Sequence, residues 1–150
     1  MKKSIDICLS PLMLNLFDLT NKLVVVIDVF RATSAMCVFL NNGGKSIIPL
    51  ATVAEAKKYI IKASYPRYLV AAERNGSIVP GFDLGNSPLS VTEKVVSGKR
   101  LFMSTTNGTK SLQKVKNAKH LFAMGLPNRK AVAEKIISLK SENVLILGSG

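Results

Sequence analysis

Apolar and polar residues follow two rhythms along this chain, and the changes from one to the other mark out its elements. Ser4 to Ser10 (SIDICLS) alternates with period two, which predicts a first strand with one exposed face, closed by Pro11. Leu12 to Leu19 is too short and too poorly patterned to assign, and Asn21-Lys22 makes a break. Val24 to Ile27 is then an unbroken β-branched run, the signature of a strand covered on both faces in a parallel sheet. Met36, Val38, Phe39 and Leu40 recur at helical spacing. They predict a helix from Thr33 to Leu40, with Thr33 or Ser34 as its cap and a stop at Asn41-Asn42-Gly43-Gly44.

Ser46 to Leu50 reads as a short strand. Thr52 and Glu55 make a Thr-x-x-Glu capping box, and Ala54, Ala56, Tyr59, Ile60 and Ala63 continue at helical period for about eleven residues. Tyr68 to Ala72 is a strand that ends on Glu73 and runs into Arg74-Asn75-Gly76. The following segment, SIVPGFDLGNSPLS from Ser77 to Ser90, has little periodicity and exceeds the usual connection, as functional loops often do. Val91 to Val96 predicts a short helix stopped by Gly98, and Arg100 to Ser104 a strand that feeds the turn TTNGT, Thr105 to Thr109. A helix from Lys110 to Val115, a strand from Ala118 to Met124, a helix opened by Pro127 at its first position and running through Lys140, and a strand from Asn143 to Leu147 complete the chain.

Strand and helix alternate from Val24 onward. This predicts right-handed crossovers and a layered α/β/α fold around a largely parallel sheet, in a single domain spanning 1–150. The last strand ends on Gly148-Ser149-Gly150 with no helix after it, so the expected sheet is incomplete at its C-terminal side.

Composition narrows the class. With 47% hydrophobic residues the chain is not disordered, and its longest apolar run falls far short of the roughly 18 residues of a membrane-spanning helix. The opening MKKSIDICLS lacks a signal-peptide core, so a cytoplasmic protein is expected. Cys8 and Cys37 lack metal-ligand spacing and read as buried free thiols, and His120 stands at a strand edge. The net charge of +12 is unusual. Lysines fall singly or in pairs on predicted helix faces (Lys57, Lys58 and Lys62; Lys110, Lys114 and Lys116), with few aromatics between them. A solvated basic surface is therefore favoured over a nucleic-acid footprint. An unpaired sheet edge leaves self-association open.

Asp28 ends the central strand, where open α/β sheets bind ligands, and Arg31, Thr33 and Ser34 follow at once. Of the nine carboxylates, Asp28, Glu73 and Asp83 alone lie in glycine-rich or arginine-flanked turns after strands. Three oxygen donors meeting at one rim would suit Mg²⁺; the same side chains could instead cap helices or pair with Arg31 and Arg74, and spacing does not decide. No Walker loop is present, and Phe30 stands where an Asp-x-Asp phosphatase needs its second carboxylate.

VVVIDVFRATS, AAERNG, PGFDLGNSP and TTNGT, in this order, resemble the 2-phosphosulfolactate phosphatase family from Val24 to the last residue. The resemblance implies a Mg²⁺-dependent phosphatase acting on a small anionic phosphoester, 2-phospho-3-sulfolactate, in coenzyme M biosynthesis. It also implies a chain lacking the family's C-terminal portion. Carried onto these positions, Asp28, Glu73 and Asp83 would hold Mg²⁺, and Asp28, Asp83 and Arg31 would serve catalysis. Arg31, Arg74 and the turn with Thr105, Thr106, Asn107 and Thr109 would neutralise phosphoryl oxygens, while Ser34, Asn86 and Asn107 would hold the substrate's other anionic groups. The rival expectations are a non-catalytic polyanion-binding module, which rests on charge alone, and an inactive truncated form of the phosphatase.

Overall fold

A computed structural model describes residues 4–60 and 67–149. In chain order its elements are β1 (Ser4–Cys8), β2 (Leu23–Ile27), α1 (Ala32–Asn41), β3 (Ser46–Leu50), α2 (Val53–Ile60), β4 (Tyr68–Arg74), β5 (Ser77–Ile78), α3 (Glu93–Val96), β6 (Arg100–Ser104), α4 (Gly108–Lys114), β7 (His120–Met124), α5 (Arg129–Ser138) and β8 (Asn143–Gly148). Short 3₁₀ turns at Pro11–Leu16 and Pro88–Ser90 fill two of the stretches without clear periodicity. The predicted continuation of α2 through Ala63, with Lys62, lies outside the described residues, as does Gly150.

The layered α/β fold is present, with its strands divided between two four-stranded sheets. One has the order β1-β8-β2-β7 and is parallel throughout. The other has the order β3-β6-β4-β5, with β5 alone antiparallel. Apolar side chains on alternate faces explain the layering. On β2, Val24 and Val26 enter a central core with Leu69, Ala71, Leu101 and Met103 of the second sheet, and with Phe39 of α1 and Leu112 of α4. Leu23 and Val25 face the other way, against Val132 of α5. On the second sheet, Val70 and Ala72 turn outward to a separate core with Ala56 of α2, where Tyr59 stacks on Phe102 at 4.0 Å. The β-branched run is thus buried on both sides, as its composition requires.

Several local expectations are corrected. In β1 the alternation holds, but its exposed face carries Ile5 and Ile7, because the register with β8 turns Cys8 inward and every second residue follows it. Asp6, on the opposite parity, pairs with Lys22. Pro127 lies in the turn before α5, where Asn128 accepts from the Gly125 amide at 2.9 Å and donates to the Ala123 carbonyl. The capping box forms, except that Glu55 accepts from the Ala51 amide rather than from Thr52. Both cysteines are free, Cys8 fully buried and Cys37 half-buried, with burial pushing the Cys37 thiol up. Among the described residues no helix is long and apolar enough to cross a membrane.

Thr33 is not a cap. It lies inside α1, where its hydroxyl donates to the Asp28 carbonyl at 2.6 Å and reaches the Met124 carbonyl at 2.7 Å, while accepting from the Asp28 amide. One fully buried hydroxyl therefore ties the ends of β2 and β7 to the start of α1. The near-isosteric Thr33→Val leaves the Asp28 carbonyl its bond from the residue-33 amide, at 3.2 Å, but takes the hydroxyl partner from the Asp28 amide and the Met124 carbonyl, which costs roughly 1–3 kcal/mol. A urea unfolding midpoint lowered to that extent, with the denaturant slope preserved, is the expected outcome; an unchanged midpoint would dismiss the tie.

Candidate functional site

The carboxyl ends of β2 and β8 from the first sheet meet those of β4 and β6 from the second. There a hollow of about 350 Å³ opens, lined by Asp28, Phe30, Arg31, Glu73, Asn75, Gly76, Asn86, Thr105, Thr106 and Asn107. Carboxyl ends of parallel strands are where α/β folds collect ligands, because the loops that follow are free of the core's packing demands.

Asp28 is the most constrained of these side chains. Only 8% exposed, it rests against the N–H groups of Ala32 and Gly108 and the Ser149 hydroxyl. Burial pushes its carboxyl above the usual carboxylate value. The amides of Ala32 and Gly108 pull it part of the way back, and the negative charge of Glu73 adds a further upward push. Ionised Asp28 is thus tolerated by the fold rather than favoured by it: its cost to stability grows as pH rises from 3.8 through the raised folded value.

Glu73 faces Asp28 from the end of β4. One carboxylate oxygen accepts from the Gly76 amide at 2.6 Å; the other accepts from the Thr106 hydroxyl at 3.1 Å and, more distantly, from its amide. Glu73 so joins the β4–β5 hairpin to the turn after β6. Asn75 and Gly76 have positive φ, 52° and 79°, the backbone of a tight hairpin turn that Asn-Gly favours. Arg31 reaches across to this turn and donates to the Gly76 carbonyl at 3.0 Å.

Asn86 is carried in by the long loop, which runs beside β4 beyond the short β5. Ala72 donates to the Leu84 carbonyl, and Phe82 and Leu84 are buried. The Asn86 side-chain oxygen, in a residue 7% exposed, has no hydrogen-bond partner. An orphaned acceptor in a hollow that two carboxylates also line is a donor set that suits a cation.

Not every expected residue arrives. Asp83 is exposed, and its carboxylate accepts from the Val70 amide at 2.8 Å, sealing the edge of β4 that two-residue β5 leaves open. The expected meeting of three carboxylates is therefore corrected to two, and among the described residues no three Asp, Glu, His or Cys side chains cluster. Ser34 donates to the Val29 carbonyl and packs against Gly125, away from the hollow. Arg74 folds back onto the Glu73 carbonyl. Thr109 is fully buried and bonds within its own turn, accepting from the Thr105 amide at 2.8 Å. Asp28, Arg31, Glu73, Asn86, Thr105, Thr106 and Asn107 do line one hollow. Phe30, Asn75 and Gly76 join them unforeseen, although the Asn-Gly doublet is a readable hairpin signal.

The chain matches the model of the family described as 2-phosphosulpholactate phosphatase over residues 8–150. It is 54% identical over 126 residues to a probable 2-phosphosulfolactate phosphatase of Prochlorococcus marinus, covering 84% of this chain and 52% of that protein. A protein of the same description from Clostridium novyi (strain NT) is 38% identical over 146 residues, 97% of this chain and 61% of its own length. A third, from Synechococcus sp. (strain CC9605), is 42% identical over 133 residues, 89% of this chain and 55% of its own length. The chain spans about half the length of the curated relatives it matches first.

Behind the hollow, α4 begins against Asp28 at Gly108, where an added Cβ would lie 2.6 Å from an Asp28 carboxylate oxygen and 2.7 Å from the Ala32 Cβ. Alanine gains about 1 kcal/mol over glycine in a helix interior, and less at this first turn. Overpacking against a buried carboxylate costs about 1–3 kcal/mol and dominates. Gly108→Ala should lower stability in denaturant titration; a more stable variant would show that Asp28 has room to move.

Proposed function

The chain belongs to the 2-phosphosulfolactate phosphatase family, and on that premise we propose that the hollow around Asp28 and Glu73 hydrolyses the phosphate monoester of 2-phosphosulfolactate with Mg²⁺ as cofactor. One observation carries the reading: two carboxylates and the unpartnered Asn86 oxygen face a common space that also contains Arg31. Two like charges in a partly dehydrated site repel, and a divalent cation between them converts the repulsion into attraction. All three donors are oxygens. That suits Mg²⁺, which is held through one or two carboxylates and completes its shell with water and phosphate oxygens.

When bound, Mg²⁺ would neutralise charge on the phosphoryl oxygens. The chain's own residues supply the remainder. Arg31, fixed by its bond to the Gly76 carbonyl, presents a guanidinium to the equatorial oxygens. The Thr105 to Asn107 turn, fastened to Glu73, forms the opposite wall and sets the ester in line. Asp28 in its ionised form accepts a hydrogen bond from the attacking water and orients it. Thr33, bonded to the Asp28 backbone on both its amide and carbonyl, limits where that carboxylate can point.

Phosphate release from 2-phosphosulfolactate tests the reading. Asp28→Asn should lower the rate at least about 100-fold, since charge stabilisation and proton handling each carry that order of effect. Asp83→Asn, which keeps an oxygen for the Val70 amide, should stay within a few-fold of the parent. Equal losses in both would remove the two-carboxylate site.

Protons compete with the cation for Asp28. Because burial raises the Asp28 carboxyl above 3.8, the thermal stabilisation by Mg²⁺ should be absent in acid and grow as pH rises through that raised value. Melting curves across pH, with and without Mg²⁺, check this; a Mg²⁺ effect independent of pH would exclude Asp28 as a ligand.

A further inference from the structure

Behind the wall formed by Thr106 and Asn107 lies a second hollow, of about 310 Å³, lined in addition by Ser10, Lys110, Lys114 and Ser149. It is a separate space with its own chemistry. The first hollow is lined by Asp28 and Glu73 against Arg31, whereas neither Arg31 nor any carboxylate lines the second.

Hydrogen-bond donors without acceptors border this second space. Ser149 is only 3% exposed and lies beside Asp28, yet its hydroxyl has no hydrogen-bond partner. The Ser10 hydroxyl accepts from the Leu12 amide at 3.3 Å, and its own proton has no acceptor among the described residues. Lys110 and Lys114 stand one turn apart on the same face of α4. The Lys114 ammonium is 3.5 Å from the carbonyl of Pro11, which also lines the hollow, so it reaches this space with donors remaining. Lys110 has no hydrogen-bond or ion-pair partner among the described residues, which include all nine carboxylates of the chain. Two ammoniums at this spacing repel each other, and a negative ion between them turns that repulsion into attraction.

We infer that the second hollow binds a free tetrahedral oxyanion, inorganic phosphate or sulfate, through the ammoniums of Lys110 and Lys114 and the hydroxyls of Ser10 and Ser149. Buried hydroxyls are nearly always satisfied, and the Ser149 proton is satisfied once such an ion is present. The site takes a whole ion, independent of any molecule in the first hollow, and it needs no metal. A cation would find no carboxylate here, and a phosphate in the first hollow would face two carboxylates against one guanidinium until a divalent ion arrived. The inference goes beyond the phosphatase reading and does not depend on it. Where that reading holds, released phosphate has a place to bind for which the ester does not compete.

Calorimetric titration of the chain with inorganic phosphate, in the presence of a chelator and without Mg²⁺, tests the site. The parent should bind a single ion, sulfate should bind comparably, and chloride at matched ionic strength should give no response. Lys110→Met and Lys114→Met should each weaken binding about tenfold, the lower end for a hydrogen bond from a charged group, and the double variant should abolish it. Arg31→Met, which removes the cation of the first hollow, should leave the affinity within a few-fold of the parent. Ser149→Ala loses a hydroxyl that has no partner, so without phosphate it should melt no lower than the parent, and added phosphate should stabilise it less. No binding by the parent, a response that chloride reproduces, binding that survives the double variant, or binding lost with Arg31→Met would each overturn the site. None of these results bears on Mg²⁺-dependent ester hydrolysis, so the two readings fail separately.

Discussion

A carboxylate withheld from water where two sheets join is the constraint around which the rest of this protein is arranged. An isolated buried charge is among the costliest groups a fold can contain. Asp28 persists because the amides of Ala32 and Gly108 are already turned toward it. Those donors come from α1 and α4, so the two helix starts must meet at the end of β2 for the charge to be tolerated. The central core that fixes their meeting, with Val24 and Val26 against Leu101 and Met103, is therefore also what prepares the site.

Preparation and stability pull in opposite directions at this point. Buried ionised Asp28, the like charge of Glu73 and the unpartnered Asn86 oxygen all weaken the empty fold. In the proposed function the same three features would become favourable, since a cation and a phosphoester would occupy the hollow. Outside it, the net charge of +12 is left largely unneutralised; the ion pairs among the described residues are Lys22 with Asp6 and Lys130 with Glu134. A basic exterior around an acidic hollow favours the approach of small polyanions, and under the proposed function the hollow would select one that arrives with a divalent ion.

Hydroxyl-bearing turns illustrate how similar words in a sequence take different roles. Thr33, in the first turn of α1, and Thr105, between β6 and α4, both lie soon after a strand, and both are almost fully buried. The Thr33 hydroxyl meets the amide and carbonyl of Asp28, just after β2, and the Met124 carbonyl of β7, whereas Thr105 bonds with Thr109 and stays at the wall of the hollow. The difference lies in what the neighbouring strand leaves unpaired. At the end of β2, backbone groups of Asp28 and Met124 need a partner; after β6, the turn closes on itself.

The sequence alone determined what depends on near neighbours. The β-branched run of β2, the Thr52–Glu55 capping box, the strand that delivers Glu73 to a rim and the alternation of strand with helix all follow from periodicity and local sterics. Tertiary structure decided the rest. It divided the strands between two sheets, turned Ile5 and Ile7 outward, gave Asp83 to an open strand edge and sent Ser34 away from the hollow while bringing Asn75, Gly76 and Ser149 toward it. The physical reason is that a side chain's destination depends on which backbone groups and which core remain unsatisfied nearby in space. Such vacancies arise only when segments far apart in the chain have already packed together.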